Sequence, residues 1–278
     1  MPGRLSIVAT PIGCLEDITL RALSVLREAD QILAEDTRQT RTLCTKHGID
    51  TPLRSFHAHT SEEKLSHIVD ALSAGSHYAL VSDAGTPLVS DPGAELVVRA
   101  QTAGVVVEAI PGPSAVLAAL SVSGIPARRF TFEGFIARSG RARKDALRRV
   151  AENDAATVLF ESPHRIRATL TDLETLLGNE RLVAVCRELT KIHEEVVRGT
   201  CAEVRDRLAE SPKGEITLVV AGRVEDDAPE DVDIDALVAD WQREGLTTTD
   251  MAKRLRDEHG WKRSDAYQAV VALAEDDD

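Results

Sequence analysis

The sequence lacks long apolar runs and contains few aromatic residues. No stretch of about 18 apolar residues occurs, as a membrane-spanning helix would need, and no charged segment followed by an apolar one opens the chain as in a secretory leader. We therefore expect a soluble protein of the cytoplasm. Aromatic residues make up only 3% of the chain, which argues against a broad platform of stacked rings for nucleic-acid bases.

Cysteine is also scarce, with four residues at positions 14, 44, 186 and 201. Their spacing fits neither a zinc ribbon nor a redox pair of the CxxC type, so we expect free thiols in a reducing compartment. No histidine near a predicted loop has a second metal ligand at a useful spacing, and we expect no catalytic metal.

The common nucleotide-binding loops are missing. No GxGxxG follows the first predicted strand, and GxxxxGK[ST] does not occur, which excludes the usual dinucleotide and P-loop sites. The chain instead has loops rich in glycine and proline at the ends of predicted strands.

Negative charge predominates, but it is unevenly distributed. The net charge is −13; residues 223–278 contain 17 acidic and 7 basic residues, a net of −10, which leaves a net of −3 for residues 1–222. Residues 128–149 contain eight basic residues against Glu133 and Asp145. A charge run is usually a solvated helix face, yet this local excess of cations favours contact with RNA phosphates.

Apolar runs alternate with helical patterns along the first 222 residues. The chain opens with the apolar run Leu5–Ala9, a loop, and a helical pattern through Leu20, Leu23 and Leu26. Further strands are predicted at 31–34, 78–82, 105–110, 130–136, 157–160, 182–186 and 216–221, and helices at 38–47, 62–74, 94–103, 115–123, 144–151, 164–177 and 202–209. In residues 5–110 this alternation predicts a largely parallel sheet covered on both faces, and residues 130–221 are predicted to form a second α/β unit.

The domain organisation follows from these patterns and from a change of composition. We predict an N-terminal α/β domain with the cofactor loops (1–111), a second α/β domain on the substrate side (112–222), an acidic linker (223–233) and a small helical domain resembling a helix-turn-helix (234–278). Three helices are predicted in the last part, at 234–244, 248–258 and 264–274, separated by Gly245 and by Gly260-Trp261, and we expect Asp276–Asp278 to fray.

Three loops follow predicted strands of the first α/β unit: Thr10–Gly13, Asp83–Asp91 and Pro111–Ser114. In open α/β sheets ligands bind beyond the carboxyl ends of strands, so these loops are expected to converge on one cleft. Any one of them could be a tight turn without a ligand. Three in one unit favour a binding cleft.

Motifs in this order along the chain resemble a known family. They are Val8-Ala9-Thr10-Pro11-Ile12-Gly13, Glu35-Asp36-Thr37-Arg38, Ser82-Asp83-Ala84-Gly85-Thr86-Pro87, Pro111-Gly112-Pro113-Ser114-Ala115, Phe160-Glu161-Ser162-Pro163-His164-Arg165, Arg187-Glu188-Leu189-Thr190-Lys191 and Gly214-Glu215. The first four resemble the tetrapyrrole methylase superfamily, and the last three resemble its ribosomal RNA small subunit methyltransferase I branch. The resemblance covers residues 4–222; one departure is Cys14, where the family usually has asparagine.

The resemblance implies two α/β domains with S-adenosyl-L-methionine in the cleft between them, a homodimer, and 2′-O-methylation of a cytidine in the decoding region of 16S rRNA. It places the methyl donor on the loops of the first domain and on the start of the next helix. The predicted cofactor-binding residues are Pro11, Gly13, Asp83, Ala84, Gly85, Thr86, Ser114, Ala115 and Ser162. The alternative for Asp83, which is less favoured, is an Asx-turn with its own backbone.

Methyl transfer requires the nucleophile, the methyl carbon and the sulfur in one line, and a ribose hydroxyl needs help in losing its proton. Carboxylates and lysines that follow strands of the second domain are therefore the catalytic candidates: Glu161, Glu188 and Lys191. Glu161 could instead cap the helix that begins near Pro163, and Glu188 with Lys191 could form an internal ion pair.

The predicted RNA-binding residues are Arg38, Arg138, Arg141, Arg143 and Lys144. For Arg38 only the resemblance supports a phosphate contact, since the residues themselves favour a plain cap of the next helix by Asp36.

Two other functions fit parts of the sequence. A small-molecule methyltransferase acting on a tetrapyrrole would share the fold but would not require the basic segment or the helical tail. A DNA-binding regulator could use the last 50 or so residues as its reader, but a net charge of −10 in that part opposes binding to phosphates.

Overall fold

The computed structural model describes residues 3–223, 233–259, 261 and 263–275. The chain divides into two compact units, residues 1–223 and 224–278. The first unit contains two five-stranded sheets and the second is helical. The predicted α/β class with a helical C-terminal part is confirmed.

The first sheet is wholly parallel. Its strands are β1 (Arg4–Val8), β2 (Gln31–Ala34), β3 (Leu53–Ser55), β4 (His77–Val81) and β5 (Val106–Ile110), in the order β3-β2-β4-β1-β5. The connecting helices are α1 (Leu20–Glu28), α2 (Thr37–Lys46), α3 (Glu62–Ser73) and α4 (Ala94–Thr102). Helices α1 and α2 cover one face, and α3 and α4 cover the other. The carboxyl ends of all five strands therefore meet at one edge.

Side-chain caps start the connecting helices where the sequence offers them. The Thr19 hydroxyl accepts from the backbone N–H of Ala22 at 3.1 Å, and the Asp36 carboxylate accepts from Arg38 N at 2.8 Å. Each cap satisfies a backbone donor that has no partner within the helix.

The second sheet is mixed. Its strands are β6 (Phe130–Phe135), β7 (Ala156–Glu161), β8 (Leu182–Arg187), β9 (Glu195–Thr200) and β10 (Ile216–Val220), in the order β6-β7-β10-β8-β9. Only β6 and β7 are parallel; β10 inserts antiparallel between β7 and β8, and β8 pairs antiparallel with β9. Strand β9 was not predicted because its sequence, EVVRGT, has no sustained apolar run.

Different helices cover the two faces of the second sheet. Helices α6 (Gly140–Glu152), α7 (Ile166–Leu177) and α8 (Cys201–Arg207) pack on one face. Helix α5 (Ala115–Val122) packs on the other face, together with Ile12 from the loop after β1. That loop of the first sheet therefore lies against the second.

In its described residues the second unit contains the three predicted helices, α9 (Ile234–Arg243), α10 (Thr248–His259) and α11 (Arg263–Glu275). They bury a core of their own around Trp241, Leu255 and Val270. The predicted linker lies outside the described residues except at its two ends, as do Gly260 and Asp276–Asp278.

Among the described residues, no helix is both long and apolar enough to cross a membrane. The cysteines are free thiols, as expected, and Cys44, Cys186 and Cys201 are buried. Burial raises the pKa of Cys186 to about 12 and that of Cys201 to about 11, so both thiols remain protonated.

Candidate active site

The three loops expected to converge do contact one another. Thr10 N donates to Gly85 O at 2.8 Å and Gly85 N donates back to Thr10 O at 3.0 Å, joining the loops after β1 and β4. The Thr86 hydroxyl donates to Pro113 O at 3.3 Å, which adds the loop after β5. Gly85 has a φ of 79°, a conformation that glycine adopts without steric cost.

The loop after β5 leads directly into α5. Ser114 caps this helix, since its hydroxyl accepts from Leu117 N at 3.5 Å. A Cβ on Gly112 would lie 3.0 Å from the Cβ of Ala9, so glycine permits the close approach of this loop to the end of β1.

A first cavity of about 300 Å³ lies between these loops and the second sheet. Its walls include six of the nine predicted cofactor-binding residues: Ala84, Gly85, Thr86, Ser114, Ala115 and Ser162. The catalytic candidate Glu161 also lines it, with the apolar side chains of Ile12, Val89 and Val116.

A second cavity of about 280 Å³ adjoins the first. It is lined by the remaining predicted cofactor-binding residues, Pro11, Gly13 and Asp83, and by the catalytic candidate Lys191. The two cavities share Ile12, Ala84 and Glu215. We call this shared wall the junction.

Aromatic rings gather at the first cavity although the chain has few of them. Phe135 and Phe160 line the cavity, with ring centroids 5.5 Å apart, and Phe132 packs edge-on against Phe160 at 4.9 Å. Phe135 remains 63% exposed. These phenylalanines, three of five in the chain, form an apolar wall that no motif in the sequence indicates.

Carboxylates crowd at the ends of β2 and β4. Asp83 accepts from Asp36 N at 2.9 Å, so it ties the two strand ends together and does not form the Asx-turn. Burial raises the pKa of Asp91, and the negative charge of Asp83 raises it further. A hydrogen bond from Ser82 lowers the pKa but does not cancel the effect of burial. Burial, Asp83 and Asp91 likewise raise the pKa of Glu35.

Glu161 is buried, and both of its carboxylate oxygens have partners. Its Oε1 accepts from Ser162 N at 2.8 Å and lies 3.4 Å from Arg165 Nε. Its Oε2 accepts from the Thr169 hydroxyl at 2.6 Å. These contacts fix the start of α7 and the Ser162 backbone at the wall of the first cavity.

Glu188 and Lys191 form the internal ion pair that was considered for them. Lys191 Nζ donates to Glu188 Oε1 and to Glu215 Oε2, both at 2.9 Å. The hydrogen bond from Lys191, with the backbone N–H of Glu215, lowers the pKa of Glu188. Burial lowers the pKa of Lys191, but its hydrogen bonds to Glu188 and Glu215 outweigh this, and the pKa lies above its ordinary value.

The loop of these residues touches the loop after β1. Cys14 N donates to the Thr190 hydroxyl at 3.0 Å, and a Cβ on Gly13 would lie 2.5 Å from Lys191 Cγ. Cys14, which replaces the asparagine usual in the family, therefore contacts Thr190 through its backbone N–H and not through its side chain.

The predicted RNA-binding residues lie at separate places. Arg38 is paired with Asp36 at 2.7 Å, and this pairing lowers the pKa of Asp36 to about 2. On α6, Arg141 lies 3.5 Å from Asp145, and Arg143 is nearly buried against Asp172 at 2.7 Å. Arg138 and Lys144 are exposed, and the described residues give neither an ion-pair partner.

Two acidic residues of the cavities, Glu215 and Asp91, were not predicted to have a role. Glu215 stands in the Gly214-Glu215 motif directly before β10, so its place at a strand end was a usable signal. Asp91 lies within a predicted loop, but nothing in the sequence shows that its carboxylate lines a cavity.

Comparison with known proteins gives a consistent result. Residues 4–205 match the model of the family described as tetrapyrrole (corrin/porphyrin) methylases. The chain is 48% identical over 230 residues to the ribosomal RNA small subunit methyltransferase I of Xylella fastidiosa, covering 82% of this chain and 84% of that protein. It is 41% identical over 279 residues to the protein of the same name from Haemophilus influenzae, covering 99% of both.

Solved structures agree on the fold. A cobalt precorrin-4 methyltransferase of cobalamin biosynthesis superposes with a TM-score of 0.61 at 21% identity, covering 78% of this chain and 94% of that one. At that identity the likeness concerns the fold alone.

Proposed function

Because the chain belongs to the tetrapyrrole methylase family, and within it to the ribosomal RNA small subunit methyltransferase I group, we propose that it methylates a ribose 2′-hydroxyl of a cytidine in the decoding region of 16S rRNA. The methyl donor is S-adenosyl-L-methionine. The observation that carries this proposal is the pair of adjoining cavities. They can hold a methyl donor and an acceptor side by side, with the junction between them.

The residues of the first cavity fit the methyl donor. When bound, S-adenosyl-L-methionine supplies a methyl group on a positively charged sulfonium. Phe135, Phe160 and Val116 offer apolar surface to an adenosine, while Asp91 offers negative charge to the sulfonium and the amino group. We therefore assign the first cavity to the donor and the second to the acceptor ribose.

The outer surface of the second sheet's helices supports an RNA acceptor. On α6, Lys144 and Arg148 line a third cavity between α6 and α7 and are exposed. We propose that these two residues and Arg138 contact rRNA phosphates. Arg143, which is paired with Asp172, is proposed to hold α6 in position beneath them.

The proposal is tested by incubating the protein with labelled S-adenosyl-L-methionine and small subunits from cells that lack this methylation. Nuclease digestion and mass spectrometry should then find the label on the 2′-oxygen of one cytidine. Label on a base, or transfer to a tetrapyrrole but not to the subunit, would contradict the proposal.

A matched pair of variants ties the activity to the first cavity. Ala115→Phe places a ring in the first cavity and should abolish both methyl transfer and binding of S-adenosylhomocysteine in calorimetry. Leu117→Phe makes a similar change at a residue of the same helix that is 55% exposed and should leave both intact.

The proposed substrate places the reaction in the cytoplasm, where small subunits are assembled. We also propose that the chain acts as a homodimer, as the family resemblance implies. Sedimentation equilibrium of the purified chain should give twice the mass of 30.1 kDa.

A further inference from the structure

The junction contains a single ionisable side chain. Of the three residues that line both cavities, Ile12 and Ala84 are apolar and Glu215 is a carboxylate. A group that acts on an acceptor in the second cavity while facing a donor in the first must reach both. Among the residues that line these cavities, Glu215 meets that requirement.

Lys191 and Glu188 hold Glu215 in place. Lys191 Nζ donates to Glu215 Oε2 at 2.9 Å, and Glu188 Oε1 accepts from both Lys191 Nζ and the backbone N–H of Glu215 at 2.9 Å. The side chains of Glu188 and Lys191 are 19% and 29% exposed, whereas that of Glu215 is 72% exposed. Glu188 and Lys191 form a support, and Glu215 is the member of the three that lines both cavities.

The backbone is shaped to allow this support. Gly214 has a φ of 90°, and a Cβ there would lie 2.3 Å from Glu188 Oε1. Glu188 itself has a φ of 52°. A side chain at position 214 would displace Glu188, and conformations of this kind persist only where surrounding contacts impose them.

Neither supporting residue is suited to accept a proton. Lys191 is held as an ammonium between two carboxylates, and Glu188 is held as a carboxylate whose Oε1 already accepts two hydrogen bonds. Glu215 Oε2 is occupied by Lys191. No hydrogen bond to Glu215 Oε1 occurs from the residues that the structure describes.

We infer that Glu215 is the catalytic carboxylate that takes the proton of the acceptor hydroxyl, with Lys191 and Glu188 as its positioning residues; this inference rests on the proposed function. In the step, the ribose 2′-oxygen bonds to the methyl carbon as the carbon–sulfur bond breaks. The bonding electron pair goes to sulfur, which becomes neutral. The hydroxyl proton passes to Glu215 Oε1 and from there to water.

Other ionisable groups share these cavities and could compete for the role. Asp83 and Lys191 line the second cavity, Asp91 and Glu161 line the first, and Glu188 contacts Glu215 from behind. Asp83 is the strongest rival, because it is a carboxylate in the acceptor cavity. It serves as the comparison variant.

The test measures single-turnover methylation of undermethylated small subunits by the full chain over a range of pH. Glu215→Gln should lower the rate constant by about 100-fold or more, since general base catalysis commonly contributes that much. The wild-type rate should level off once the base is ionised, whereas the Glu215→Gln rate should keep rising with pH as hydroxide replaces the carboxylate. Glu215→Asp should recover part of the rate.

Binding measurements separate chemistry from folding. In calorimetry, Glu215→Gln should bind S-adenosylhomocysteine within about threefold of the wild-type affinity, a change of less than 1 kcal/mol. Asp83→Asn should retain the levelling pH profile of the wild type. The inference is overturned if Glu215→Gln keeps the wild-type rate or profile, or if Asp83→Asn alone loses the profile.

Failure of the proposed function can be distinguished from failure of the Glu215 assignment. If the wild-type chain transfers no methyl group to a ribose, the function is wrong whatever the variants do. If it does so and Glu215→Gln is unaffected, only the assignment of Glu215 is wrong.

Discussion

Four residues other than glycine adopt positive φ within the described part of the chain, and all lie in two loops beside the cavities. Leu88 and Ser90 follow β4, while Glu188 and Thr190 follow β8, with φ between 52° and 74°. Such conformations cost free energy and are retained where they position functional groups. Here they position the wall of the first cavity and the Lys191 support.

A half-buried carboxylate gives a prediction at the residue scale. Burial raises the pKa of Asp91, so the folded state binds its proton more tightly than the unfolded state does, for which the pKa is about 3.9. Stability therefore falls as the pH rises from about 4 through the folded-state pKa. Asp91→Asn removes this ionisation and should raise the thermal unfolding midpoint at neutral pH, with a difference that shrinks towards acidic pH.

Circular dichroism of the unfolding transition at several pH values checks this. Asp50→Asn, in the exposed loop before β3, is the control and should show no such pH-dependent difference. A lower midpoint for Asp91→Asn at neutral pH would show that the ionised form stabilises the fold, contrary to the prediction.

At the scale of elements, one arginine joins the end of α6 to the end of β10. Arg181 donates to Ala221 O and Asn153 O, both at 2.8 Å, and to Ala151 O in the last turn of α6. Burial disfavours the charged form of the Arg181 guanidinium and lowers its pKa, whereas the hydrogen bonds to these carbonyl oxygens favour the charged form. Arg181→Met removes the arginine donor from Ala221 O and Ala151 O, whereas Asn153 O keeps the hydrogen bond from Arg223 N at 2.6 Å, and the substitution should cost about 2–4 kcal/mol of unfolding free energy.

Urea unfolding of Arg181→Met against Arg148→Met tests this contribution. Arg148 lies on α6 with its side chain exposed, so its replacement should change stability by less than about 0.5 kcal/mol. Equal effects of the two substitutions would contradict the prediction.

Helix α6 also carries the prediction for RNA binding. Lys144 and Arg148 are exposed, and neither has an ion-pair partner within the described residues. Replacing both with alanine should reduce the slope of log K against log salt by about 0.7–0.9 for each phosphate that the protein no longer neutralises. Binding to 16S rRNA fragments, measured by fluorescence anisotropy over a range of salt, gives the slope.

Arg129→Ala is the matched control within the same basic segment. Arg129 is paired with Asp154 through two contacts of 3.1 Å, so its charge is largely neutralised and the slope should hardly change. An unchanged slope for the Lys144 and Arg148 variant would exclude this face of α6 from RNA contact.

At the scale of the whole molecule, the two units differ in charge and have separate cores. Every residue that lines the two cavities belongs to the first unit. A chain that ends at Arg223 should therefore fold and bind S-adenosylhomocysteine within about threefold of the full-length affinity, a change of less than 1 kcal/mol. Calorimetry measures the affinity, and loss of binding would mean that the helical unit completes the cofactor site.

The sequence determined the features that depend on local periodicity. The alternation of apolar runs and helical patterns predicted eight of the ten strands found in the described residues and the helices between them. The loops at 10–13, 83–91 and 111–114 followed from the strand ends. It missed the strands Leu53–Ser55 and Glu195–Thr200, which are short or lack an apolar run. The motifs supplied the family.

Only the tertiary structure decided what depends on contacts between distant residues. Strand pairing made the second sheet mixed, since the direction in which a strand runs beside its neighbours is set by the connections of the chain and not by the strand's own sequence. The same folding brought Glu215 to Glu188 and Lys191, and it paired Arg143 with Asp172 while leaving Lys144 exposed. Residue type alone gives a charge, but the neighbours that neutralise or expose that charge come from other parts of the chain.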